Sequence, residues 1–245
     1  MGKLDGQVAV ITGGNRGIGK GIAKAFLAEG AKLVICGRTS GELEATAAEL
    51  VADGADLLAQ QTDITDEAAV KSLFEETMKR FGRVDLLVNN AGAFDGGRLD
   101  EVSFDGWNTV IGSCLTGTFL CSREAFRIMK DQNGDGGRIL NIGSISAQRP
   151  REGSTPYAAA KFGVWGMTQA IAIDGRPFNI LCSCLHPGNV RVERREDSGE
   201  RSDEEPMMST ETIAEAALAM VTLPKDVNFL EAIVLPRDQL YLGRG

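Results

Sequence analysis

The sequence predicts an α/β fold: one doubly wound parallel sheet of about seven strands with helices on both faces, in a single domain over residues 1–245. Three observations lead there. Short uninterrupted apolar runs alternate with helical patterns, and strands of that kind are buried on both faces. The units recur about every 25–30 residues, the scale of a strand–helix–strand unit. A glycine-rich loop joins the first apolar run directly to the first helix, where such sheets receive phosphate groups.

Taken in order, Gln7 to Ile11 reads as the first strand, and Lys20 to Glu29 carries helical periodicity that ends at Gly30. Lys32 to Cys36 is the second strand. Ser40 to Ala52 is an alanine- and glutamate-rich helix closed by Gly54. Asp56 to Gln61 is the third strand. Asp66 to Phe81 is an amphipathic helix with Thr65 or Asp66 as N-cap. Val84 to Asn89 is the fourth strand, and Ser103 to Met129 reads as one long helix. After the break at Asn133-Gly134-Asp135-Gly136-Gly137, Arg138 to Ile142 is the fifth strand. Thr155 to Ile173 is a helix with Pro156 in its first turn. Phe178 to Cys184 is the sixth strand, Thr210 to Val221 a helix, and Ala232 to Leu235 the last strand. No linker or sequence repeat divides the chain.

Composition bounds the function. Hydrophobic residues make up 43%, enough for a sizeable core. The net charge of −8 disfavours nucleic acid or an anionic membrane as partner. The five cysteines form no CxxC pair, and the single histidine, His186, completes no zinc site, so no metal is expected. Reduced, buried thiols fit a cytoplasmic protein. The first residues show no apolar signal region, and no apolar run reaches transmembrane length.

The first loop reads Thr12-Gly13-Gly14-Asn15-Arg16-Gly17-Ile18-Gly19. Gly13 permits a tight turn, Gly17 lets a diphosphate approach the backbone, and Gly19 lets the helix pack closely on the sheet. An NAD site usually has an acid at the end of the second strand. That end here is Cys36-Gly37-Arg38. Arg38, with Arg16 on the same side, suits a 2′-phosphate and favours NADP(H), while NAD(H) stays possible. Asp63 could accept from an adenine amino group, and a turn or N-cap role fits it nearly as well.

Tyr157-Ala158-Ala159-Ala160-Lys161 places a phenol and an ammonium on one helical face. A cation about 4 Å from the phenol at an effective dielectric of ~20 is worth roughly 4 kcal/mol, or about 3 pKa units. The lysine can thus make the tyrosine a usable general acid. Alone, the five residues are better read as an exposed helix with a surface Tyr and Lys.

Together, Thr12-Gly13-xxx-Gly17-Ile18-Gly19, Asn89-Asn90-Ala91-Gly92, Ser144, Tyr157-xxx-Lys161 and Pro187-Gly188 resemble the classical short-chain dehydrogenase/reductase family over about residues 5–190. The resemblance implies a Rossmann fold and hydride transfer between NAD(P) and a small-molecule carbonyl or alcohol. It implies Tyr157 as general acid, Lys161 as its tuner and ribose ligand, and Ser144 as the donor to the substrate oxygen. It places Asn89, Ala91 and Gly92, and further on Pro187, Gly188 and Val190, beside the cofactor. It also implies a homotetramer or homodimer, and a substrate lid after Pro187-Gly188. That lid includes the charged run 193–206, read as a solvated, mobile loop.

Two positions depart from the family pattern. Cys114 stands where the family commonly has an Asn that supports a water-mediated proton relay to the lysine, and a thiol is a poor replacement. Val192 stands where a Thr near the carboxamide is usual, with Asn189 as a candidate substitute. A non-catalytic dinucleotide sensor is the alternative these departures raise, and the intact Ser144, Tyr157 and Lys161 argue against it. His186 reads as a packing or hydrogen-bonding residue.

Overall fold

The continuous apolar runs pair with one another because each strand must bury both faces. In the computed structural model, which describes residues 2–192 and 205–241, seven strands form one parallel sheet. They are β1 (Val8–Thr12), β2 (Lys32–Gly37), β3 (Leu57–Gln61), β4 (Leu86–Asn89), β5 (Gly137–Ile142), β6 (Ile180–Pro187) and β7 (Glu231–Val234), in the order β3-β2-β1-β4-β5-β6-β7. The order reverses at β1, so a crevice opens between the carboxyl ends of β1 and β4, where open α/β sheets bind ligands.

The helices α1 (Gly17–Ala28), α2 (Ser40–Ala52) and α7 (Thr210–Val221) cover one face. Ile22 and Phe26 of α1 are fully buried there, beside Leu43 and Leu50 of α2. Each such side chain contributes roughly 1.5–3 kcal/mol. The other face carries α3 (Glu67–Phe81), α5 (Gly117–Lys130) and α6 (Thr155–Asp174), which bury Leu73, Phe74, Cys121 and Met129 against Val8, Val10 and Ile139.

Local chemistry sets the helix ends. Asp66 accepts from the Ala68 and Ala69 N–H groups at the start of α3, and Gly82, at φ 73°, closes it. Before β5 lies α4 (Phe104–Ile111), capped by the Ser103 hydroxyl, which accepts from Gly106 N–H. The long helix expected over Ser103–Met129 is continuous but not uniform. Between α4 and α5 the turn Gly112–Thr116 widens to π geometry around Cys114. Such bulges concentrate at functional sites.

Both boundaries of β6 differ from expectation. β6 runs on to Pro187, because His186 and Pro187 pair with Ile233 and Val234 of β7. Its start moves from Phe178 to Ile180, since Arg176–Phe178 is a 3-10 turn. Residues 193–204 of the expected lid lie outside the described residues.

Candidate active site

The glycine loop is held from below by a residue on β1. Thr12 Oγ1 accepts from the N–H groups of Asn90 (3.0 Å) and Ala91 (3.1 Å), tying the end of β1 to the end of β4. Asn90 Nδ2 returns hydrogen bonds to the carbonyls of Thr12 (3.0 Å) and Gly13 (3.1 Å). Gly13 has φ +62°, the left-handed region. A Cβ on Gly19 would lie 2.2 Å from the Gly13 carbonyl oxygen. Helix α1 begins at Gly17; its N-cap residue, Arg16, makes no side-chain cap hydrogen bond, and no acid lies in the first turn. An acid-free helix start over close-packed backbone is suited to an anionic diphosphate.

A cleft runs outward from this loop, lined by Gly13, Asn15, Arg16, Arg38, Asp63, Asn90, Ala91 and Gly92. Among the described residues the Arg38 guanidinium makes no hydrogen bond or ion pair. Arg16 pairs with Glu42 at 3.3 Å, and Asn15 Nδ2 donates to the same carboxylate at 2.7 Å. Arg16 and Glu42 are both largely exposed, so their pair holds weakly. Asp63 accepts from the backbone N–H and the hydroxyl of Thr65 at 2.9 and 2.8 Å. Those bonds, with the nearby Arg38 charge, keep its carboxyl below the ordinary range. The turn role is thus present at Asp63, which still borders the cleft.

Asn89 is not where the sequence suggested. Its Nδ2 donates to Ser122 Oγ (2.9 Å) and Asn141 Oδ1 (2.8 Å), so the carboxamide is buried inside the fold. The neighbouring Asn90 borders the cleft instead. The doublet Asn89-Asn90 gave no means of choosing between them. Ile18 is partly buried against the core, and Val190 is buried in it, bridged to Met208. Pro187 ends β6, and Gly188 N–H donates to Val234 O at 2.8 Å. Asn189 does not stand free to replace the missing Thr. Its carboxamide binds Arg151 at 3.0 Å and Glu205 at 2.6 Å.

At the carboxyl end of β5 the chain leaves the sheet through Gly143 and Ser144. Ser144 Oγ accepts from Ser146 N–H at 3.1 Å and starts a 3-10 turn, Ile145–Ala147. Helix α6 lies against that turn. Lys161, nearly fully buried, donates from Nζ to the carbonyl of Ile142 at 2.7 Å, two residues before Ser144. Burial alone would lower its basicity. The phenol of Tyr157 and the thiols of Cys114 and Cys184 act the other way, and the ammonium stays above its ordinary range. One turn earlier on the same face, the Tyr157 ring centroid lies 5.5 Å from Lys161 Nζ. Phe94 packs edge-on to Tyr157 at 5.3 Å and forms an apolar wall. Ser144, Tyr157 and Lys161 thus converge on one strand end, although they are spread over 18 positions of sequence.

Cys114 sits in the π turn behind this group. Its thiol donates to the carbonyl of Ala93 at 3.2 Å and packs with Val110 and Ala160. A Cβ on Gly92 would lie 2.9 Å from its sulfur. The wide turn therefore presses position 114 against the segment after β4 that borders the cleft.

The sequence model of a family described as short chain dehydrogenase matches residues 7–203. The chain belongs to the short-chain dehydrogenase family. It is 32% identical over 199 residues to a 3beta-hydroxysteroid dehydrogenase of Mediterraneibacter gnavus, covering 81% of this chain and 71% of that protein. A short chain dehydrogenase from Burkholderia cenocepacia J2315, solved in complex with NADP, superposes with a TM-score of 0.86 at 30% identity, over 96% of this chain and 98% of that one. A 3-ketoacyl-(acyl-carrier-protein) reductase from Brucella melitensis, complexed with NADH, gives 0.87 at 32% identity over the same shares. The expected fold, a seven-stranded parallel Rossmann sheet, is the observed one, and membership makes the chain an oxidoreductase of this family. Among the described residues no helix is long and apolar enough to cross a membrane.

Proposed function

We propose that the chain is an NADPH-dependent oxidoreductase that transfers a hydride between the nicotinamide and a small-molecule carbonyl or secondary alcohol. The observation that carries this reading is the buried, charged Lys161, anchored to the β5 end beside Ser144 and one helical turn from Tyr157. A buried ammonium is costly unless the site uses or pairs it.

The cradle fits a dinucleotide. Gly13 and Gly19 leave no room for side chains, the first turn of α1 carries no acid, and Arg38 lines the same cleft. When bound, the cofactor supplies the hydride that attacks the carbonyl carbon. In this reading the Ser144 hydroxyl donates a hydrogen bond to the carbonyl oxygen. Tyr157 passes its phenolic proton to that oxygen as it becomes an alcohol. The Lys161 ammonium stabilises the phenolate left behind, and Phe94 excludes water from one side. The diphosphate would lie on Gly13, Gly17 and Gly19, and the remaining cofactor contacts would come from Asn90, Ala91, Gly92 and the Pro187-Gly188 turn. Initial rates of NADPH and NADH oxidation over a set of ketones and aldehydes test the assignment. Oxidation dependent on one carbonyl class is expected, and none with any carbonyl, nor reduction of NADP with any alcohol, would overturn it.

Arg38 supports NADPH over NADH, since its guanidinium borders the cleft and, among the described residues, makes no hydrogen bond or ion pair. Arg38→Asp should shift the NADPH-to-NADH preference in kcat/KM by about 10- to 100-fold, the scale of one charge-assisted hydrogen bond of roughly 1.5–3 kcal/mol. An unchanged ratio would rule out phosphate pairing at Arg38.

Position 114 bears on the proton supply. An amide there can bind a relay water, whereas the thiol donates only to Ala93 O. Cys114→Asn should raise kcat for carbonyl reduction by about 2- to 10-fold, the worth of one hydrogen bond of ~0.5–1.5 kcal/mol. A fall in kcat without loss of stability would show that the thiol is the fitted group. We also infer a homotetramer or homodimer, supported by the exposed Phe119 and Phe162 on α5 and α6.

A further inference from the structure

His186, the only histidine in the chain, is fully buried behind the proposed active site. It stands on β6 at the strand position next to the β5 end. Its Nδ1 faces the backbone of Ser144, 3.2 Å from the N–H and 2.9 Å from the carbonyl oxygen. Its Nε2 makes no hydrogen bond among the described residues, and Glu231 Oε1 of β7 lies 3.4 Å away. The Trp165 indole packs edge-on against the ring at 5.6 Å, fixing its plane.

Two arguments decide which nitrogen carries the proton. The Ser144 carbonyl already accepts from Ala147 N–H at 2.9 Å, so it is not left unsatisfied without the imidazole. The Ser144 N–H has no other acceptor among the described residues, and a buried N–H without one is costly. Nδ1 is the acceptor available to that N–H, although the Ser144 carbonyl oxygen, which can take a second donor, lies closer to it. On the other side of the ring, a carboxylate favours a proton on the nitrogen that faces it. Glu231 is itself held in place, since Gln148 Nε2 donates to the same Oε1 and the Tyr241 hydroxyl donates to Gln148 Oε1 at 2.6 Å.

We propose that His186 is a positioning residue for Ser144: as the Nε2–H tautomer selected by Glu231, it accepts the Ser144 N–H and fixes the serine hydroxyl at the end of β5. The proposal rests on the hydride-transfer reading for its kinetic consequences, and on geometry alone for the tautomer. Protonation of Nδ1 removes the acceptor and releases Ser144, so activity depends on His186 staying neutral. The charged and titratable groups around it are Glu231 on β7, Lys161 on α6 and the Cys184 thiol on β6, which shares the space over Gly143. Burial pushes the Cys184 thiol up to about 12, so it stays neutral. Burial also holds His186 below the ordinary histidine range, against the opposing effects of the Ser144 carbonyl, which can accept from a protonated Nδ1, and of Glu231, and Lys161 adds to the lowering. In the direction of carbonyl reduction, which needs a protonated Tyr157, an acid limb in kcat/KM below about pH 6.5 is then assigned to His186.

The test uses the whole, tag-free protein. Nitrogen-15 NMR of its one imidazole should report the Nε2–H tautomer at pH 7.5. Glu231→Gln should weaken that preference and move the imidazole titration to lower pH, because the carboxylate favours the imidazolium. In kinetics, His186→Asn places a non-titrating amide oxygen near the Nδ1 position. It should keep kcat within a few-fold and abolish the acid limb, whereas His186→Leu should lower kcat by about tenfold or more, the effect of a misplaced contact group. An Nδ1–H tautomer, a titration unmoved in Glu231→Gln, or an acid limb retained in His186→Asn would each overturn the proposal. Absence of turnover on every substrate would overturn the hydride-transfer reading and leave the NMR result to stand.

Discussion

Tyr157→Phe should lower kcat/KM for carbonyl reduction by about 10²–10⁴-fold, the contribution of a positioned general acid. The substitution removes one oxygen from a side chain whose ring stays packed against Phe94 and under Lys161. The fold should therefore be unaffected, and cofactor affinity should change little. Stopped-flow or steady-state NADPH oxidation, with a thermal melt as control, measures this. Equal turnover by variant and parent would remove Tyr157 from the chemistry and leave Lys161 without the phenol it is proposed to serve.

Gly19→Ala should act on structure and cofactor together. The added Cβ would meet the Gly13 carbonyl oxygen at 2.2 Å and Asn90 Nδ2 at 2.5 Å. Neither can yield, because Asn90 Nδ2 is bonded to the carbonyls of Thr12 and Gly13. Overpacking of this kind costs about 1–3 kcal/mol, which lowers the melting temperature of a chain this size by about 2–12 °C. The displaced loop should also bind NADPH about tenfold less tightly, equivalent to 1.4 kcal/mol. Differential scanning calorimetry and a fluorescence titration check the two effects. An unchanged melt with unchanged affinity would mean that α1 does not pack on the loop as closely as the structure places it.

The same contact explains why so much of the fold could be read from the chain. Gly13, Gly17 and Gly19 carry both a backbone requirement and a place in the topology, between an apolar strand and a periodic helix. Strand runs such as Val8–Thr12 and Lys32–Gly37 are buried almost throughout, so their apolar character is continuous. Ser144, Tyr157 and Lys161 were legible because one resemblance ordered them, and their convergence on the β5 end then follows from the parallel sheet.

What was not legible has physical causes too. The π turn at Gly112–Thr116 leaves the helical period intact to within one residue, so periodicity cannot reveal it. The apolar run of the sixth strand reads as ending at Cys184, yet pairing with β7 carries the strand through His186 and Pro187. β7 is an edge strand, and its partner residue Glu231 gave no local sign of facing a buried histidine. Asn89 and Asn90 are adjacent and identical, and only strand geometry turns one into the fold and the other toward the cleft. The contact of Glu42 with Asn15 and Arg16 spans 26 to 27 positions and depends on how α2 packs over the loop.

The central claim is direct hydride transfer to a carbonyl carbon at the Ser144–Tyr157–Lys161 site. Reduction of an accepted ketone with NADPH carrying deuterium at nicotinamide C4, followed by mass spectrometry and NMR of the alcohol, tests it most directly. The account predicts one deuterium on the carbinol carbon with the parent protein, and no product with Tyr157→Phe in the same time. Alcohol formed without deuterium from either C4 face, or labelled alcohol formed equally by Tyr157→Phe, would contradict it.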